Sequence, residues 1–107
     1  MPLISQVVAR NLALPGHVRE KIEERILKLD GFFDVIRKCV VTVEGPGAHH
    51  QQGEHSVHIA LAVPHREIVV NHRSDQSLEN AVREAFSAAD RQLQDYSRRL
   101  HAQRSAI

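Results

Sequence analysis

Residues 56–72 read SVHIALAVPHREIVVNH, and their alternation decides the fold class. Val57, Ile59, Leu61 and Val63 point one way, while His58, Ala60 and Ala62 point the other. That is a strand, Ser56–Val63, in a sheet with one covered and one wetter face. Pro64, His65 and Arg66 make a tight connection to a second strand, Glu67–His72, where Ile68 and Val70 continue the inward set.

The cover for that face lies downstream. From Ser77 to Leu100, at 3.6 residues per turn, Leu78, Val82, Phe86, Ala89, Leu93, Tyr96 and Leu100 form one continuous apolar stripe. Arg83, Arg91 and Arg98 fall roughly half a turn away, on the water-facing side. Asp75 or Ser77 can cap this helix, and His101–Ile107 is expected to fray. Upstream, Cys39–Glu44 is a β-rich run with Val41 and Val43 on one face. Before it, Val18, Ile22, Ile26 and Leu29 recur at helical spacing. Pro15 suits the first position of that helix, Leu14 offers no side-chain cap, and Gly31 is the expected stop. Leu3–Ala9 reads as a short first strand.

The order β-α-β-β-β-α follows. A right-handed crossover makes the first two strands parallel, and two hairpins add antiparallel strands. Both helices must cover one apolar face, so the fold class is α+β: a two-layer sandwich with a four-stranded mixed sheet. Residues 1–100 form the domain and 101–107 a tail.

Composition narrows the function. At 107 residues the chain holds one modest core, and with no tryptophan that core rests on Val, Ile, Leu and Ala. A net charge of +1 sets up no global field toward polyanions, so binding of nucleic acid has to rest on local clustering. Cys39 stands alone inside an apolar run, which excludes an intramolecular disulfide and fits a buried thiol. Leu3–Ala9 is too short for a membrane span and lacks the flanks of a signal peptide. A soluble, cytoplasmic domain with no membrane partner is expected.

Eight histidines invite a metal reading, with His49, His50, His55 and His58 in or beside the loop Gly45–His55. Imidazoles suit zinc, copper or nickel. The loop is rich in glycine and has neither cysteine nor a helical frame to position ligands, so no metal site is assigned; a flexible hairpin tip accounts for it. Catalysis has no support either. There is no nucleophile elbow, no glycine loop to cradle phosphate, and no carboxylate pair in an apolar pocket. Lys21, Arg25 and Lys28, spaced four and three apart, lie on one stripe flanking the apolar face of the first helix. Glu20, Glu23 and Glu24 are close enough to pair with them, so a solvated charged face is the plain alternative to an RNA contact.

The ordered set of short runs carries a resemblance. Arg10-Asn11-Leu12, Val18–Leu29, Phe33 with Ile36, Val41-Thr42-Val43, the alternating Val57–Val63 strand, Ala81-Val82 and Arg91-Gln92-Leu93 span roughly residues 3–100. Together they resemble the bacterial ribosome hibernation-promoting factor family, which includes the ribosome-associated inhibitors once called sigma-54 modulation proteins. The resemblance implies a non-catalytic protein without cofactor or small-molecule substrate. Its partner would be the small ribosomal subunit and its rRNA, and its action would be to block the channel for messenger and transfer RNA. The matching basic positions are Lys21, Arg25 and Lys28 on helix one, and Arg83, Arg91 and Arg98 on helix two, with Arg99 nearby. Glu79, Glu84, Asp90 and Asp95 make helix two more mixed than in strongly basic members. The chain looks like a short form, not expected to pair ribosomes by itself. Rival readings are a general binder of structured RNA and a protein-interaction module using the open sheet face or edge.

Overall fold

The computed structural model describes residues 3–45, 54–74 and 77–105. Six elements follow in chain order: β1 (Ile4–Arg10), α1 (Gly16–Phe32), β2 (Lys38–Glu44), β3 (His55–Val63), β4 (Arg66–Ser74) and α2 (Leu78–Ser105). The sheet order is β1-β2-β3-β4, with β1 parallel to β2 and the other neighbours antiparallel. This is the expected topology.

Register aligns the apolar faces in rows. Val7 lies opposite Val41, Val41 opposite Ile59, and Ile59 opposite Val70, so one row crosses all four strands. A second row runs through Cys39, Leu61 and Ile68. A slip of one residue would turn each row to water, so burial of this face fixes the register. Among the described residues every fully buried side chain is apolar, including Cys39 and Phe86. The other face carries the polar set, with His58 hydrogen-bonded across the strands to Asn71.

α2 lies over β3 and β4 and fastens at several points. The Ser77 hydroxyl accepts from the Asn80 N–H at 3.0 Å, so Ser77 is the N-cap; Asp75, the other candidate, lies outside the described residues. The Tyr96 hydroxyl donates to the Pro64 carbonyl at 2.9 Å, tying the helix to the β3–β4 turn. In that turn Pro64 supplies a fixed φ and His65 stands at φ 69°, the pairing expected of a type II turn.

Three helix ends differ from expectation. Pro15 is the N-cap of α1, not its first helical residue: its ψ of 143° is extended, and its carbonyl accepts from Val18 and Arg19. Gly31 does not stop α1. The helix runs on to Phe32 because the Phe33 N–H continues the pattern to the Leu29 carbonyl at 2.8 Å, with Phe33 packed against the core. α2 passes Leu100 and reaches Ser105, with His101 Nδ1 bonded to the Ser97 carbonyl at 2.8 Å.

Gly45 belongs to the scaffold rather than to a loose hairpin tip. Its N–H donates to the Arg10 carbonyl, and a Cβ there would sit 2.7 Å from Leu12 Cβ and 2.8 Å from the Asn11 carbonyl oxygen. Only glycine allows the chain to pass so close to the β1–α1 link.

Candidate nucleic-acid interface

The core stripe of α1 (Val18, Ile22, Ile26, Leu29) leaves a second stripe beside it. Lys21, Arg25, Lys28 and Phe32 follow at steps of four, three and four, which keeps them on one side of the helix. That side faces α2. Between the helices runs a groove whose first part, about 320 Å³, is lined by His17, Lys21, Arg25, Asn80 and Arg83 over a floor of Val18 and Val82. Its second part, about 260 Å³, is lined by Arg25, Lys28, Phe32, Arg83 and Asp90 over Leu29 and Phe86. Arg25 and Arg83 border both parts, so the trough is continuous.

The groove carries an excess of positive charge. No ion pair is made by Lys21, Arg25, Lys28 or Arg83 among the described residues. The expected pairing with Glu20, Glu23 and Glu24 is not formed among the described residues. The two carboxylates at the groove are engaged elsewhere. Glu79 meets His17 Nε2 at 3.0 Å, and Asp90 accepts from Gln94 Nε2 at 2.8 Å. Arg83 donates through Nη2 to Asn80 Oδ1, one turn back along α2, which holds its guanidinium over the groove.

The remaining basic positions stand apart. Arg91 and Arg98 are exposed, lie seven residues apart on the outer side of α2 and border neither part of the groove. Arg99 is roughly 160° around the helix from Arg83 and pairs with Asp95 at 3.3 Å. The seven basic candidates therefore separate into four at the groove, two on the outer face and one beyond. Among the described residues no group of three His, Cys, Asp or Glu side chains is placed to hold a metal ion; His49 and His50 lie outside them. No described helix is long and apolar enough to cross a membrane.

The sequence pattern of the sigma 54 modulation protein / S30EA ribosomal protein family matches residues 5–101. The chain belongs to this family. A ribosomal subunit interface protein from Coxiella burnetii has the same fold: TM-score 0.76, 16% identity, 89% of this chain and 98% of that one covered. The N-terminal domain of Thermus thermophilus Protein Y aligns with a TM-score of 0.70 at 19% identity, over 89% of this chain and 99% of that domain. Among curated proteins, none matches the chain in sequence.

Within this family fold the groove also contains residues that sequence reasoning passed over. His17 and Asn80 gave no signal, since each acts through a contact with a neighbour. Phe32 did give one: it sits four residues after Lys28, on the cationic stripe and off the core stripe.

Proposed function

We propose that this protein is a ribosome-associated factor that seats its helix groove on RNA of the small ribosomal subunit and blocks the channel for messenger and transfer RNA by occupying it. One observation carries the reading: Lys21, Arg25, Lys28 and Arg83 converge on a single groove with no acidic partner among the described residues. A cation without an ion pair keeps its full charge for a phosphate, and each phosphate it neutralises releases condensed counterions. Family membership supports the ribosome as the source of those phosphates, and the Coxiella burnetii protein of the same fold is described as a subunit interface protein. Such a factor acts in the cytoplasm, where ribosomes are. It needs no chemistry, only a rigid body that displaces other ligands. Folded RNA is met by shape and backbone rather than by reading of sequence.

Co-sedimentation with ribosomes on sucrose gradients at several salt concentrations tests the reading. Stoichiometric migration with the small subunit is expected, weakening as salt rises. If the four groove cations each meet a phosphate, the log–log salt slope is roughly −2.8 to −3.6; adding Arg91 and Arg98 would steepen it to roughly −4.2 to −5.4. Reversal of Arg25 and Arg83 together to glutamate is expected to abolish binding while the circular dichroism spectrum stays unchanged. Undiminished binding by that double variant would overturn the groove as the interface. Equal affinity for ribosomes and arbitrary duplex RNA would replace the ribosomal assignment with a general one.

A further inference from the structure

Phe32 is the most exposed large apolar side chain among the described residues, at 79%. Its neighbour Phe33 packs against the core, so of two successive rings at the end of α1 one is partly buried and one is left in water. The exposed ring lands at the end of the cationic groove, on the same stripe as Lys28 and Arg25 and with Arg83 across from it. A lone ring on a surface calls for no explanation. A ring that closes a row of cations with no ion pair among the described residues is the combination that single-stranded nucleic acid requires: positive charge to track the backbone, and a flat face on which a base can lie.

Resting on the proposed RNA-binding role, we infer that Phe32 is a stacking platform for one unpaired nucleobase, with Lys28 and Arg25 on the phosphates that flank it. Recognition by this site is therefore not purely electrostatic. Phosphate contacts made by the cations set the salt dependence, and the ring adds an increment that salt does not screen. The site favours an unstacked base in a loop, bulge or single strand over a regular duplex, whose bases are already stacked on each other. It does not choose among bases, because each has a π-face.

The chain contains no tryptophan, so Phe32→Trp places a sole indole reporter in the groove. The test titrates this variant with a short single-stranded RNA at low salt, using poly-glutamate as the polyanion without bases. Quenching of the indole by RNA and not by poly-glutamate is expected; equal responses to the two, or none to RNA that binds, would overturn the platform. In parallel, Phe32→Ala and Phe32→Leu are assayed against small ribosomal subunits. Both are expected to lose about 5- to 150-fold in affinity with the salt slope unchanged, whereas Phe32→Tyr retains binding. A Phe32→Leu variant that binds as well as the parent would reduce the ring to a greasy contact and overturn the proposal. The two probes fail separately. Quenching by the short RNA without subunit binding removes the ribosomal reading and keeps the platform. Subunit binding indifferent to every Phe32 variant keeps the ribosomal reading and removes the platform.

Discussion

Burial of Cys39 at 1% exposure raises its thiol pKa from 9.0 to about 11, because the thiolate would have to leave water. An acid whose folded pKa is raised stays protonated in the native state while the unfolded chain ionises. The unfolded state then binds fewer protons, so stability is intact below pH 9.0 and falls as pH rises toward 11, by about 2–3 kcal/mol in all. Urea unfolding at about pH 8 and about pH 10.5 measures this loss, and a Cys39→Val variant is expected to lack it. The buried position was legible because Cys39 sits in an alternating run, as do Val57, Ile59, Leu61 and Val63. Ala81 and Ala85 were not. Both are wholly buried beside the stripe that periodicity marks. Alanine occurs on solvated and on buried helix faces alike, so its pattern alone carried no signal.

At the scale of elements, Phe86 is where α2 serves both layers. It is buried at 4% exposure in the core, and its side chain also floors the second part of the groove. Phe86→Ala is expected to cost about 3–5 kcal/mol of stability, read as a lowered midpoint in thermal or urea unfolding. Loss of RNA binding by that variant would follow unfolding rather than loss of a contact. The existence and order of all six elements could be read from periodicity, but helix ends could not. Pro15 fits both the N-cap and the first turn, and Gly31 stands where a stop was expected although Phe33 draws the helix onward. The candidate site divided in the same way. Spacing put Lys21, Arg25 and Lys28 on one stripe. Which arginine of α2 meets them depends on how the two helices lie side by side, and that is a tertiary fact: it chose Arg83 and left Arg91 and Arg98 outside.

As a whole the molecule is long, 53 × 25 × 19 Å, because α2 outruns the sheet. Its 28 residues rise about 42 Å at 1.5 Å each, while a nine-residue strand covers about 30 Å. The sheet stays open at β1 and at β4. Arg66, Glu67 and Arg73 put charge of both signs along the β4 edge, which discourages pairing with another chain. The β1 edge is different. Ile4, Ser5 and Gln6 are exposed, and the strand bonds to a single neighbour.

The parallel placement of β1 also sets an order in time. β3 and β4 meet across the two residues of their turn, whereas β1 reaches β2 only after the whole of α1 has been laid down. Closing the longer path costs more entropy before any contact repays it, so this pairing is late to form and early to open. Native-state hydrogen exchange is expected to rank the β1 amides among the least protected strand positions and those of β3 near the global limit. Since β1 is the N-terminal anchor of α1, each opening of that strand loosens the helix that carries Lys21, Arg25, Lys28 and Phe32. The lifetime of the weakest strand thus becomes a clock for the groove, and a ligand that bridges α1 and α2 would slow it.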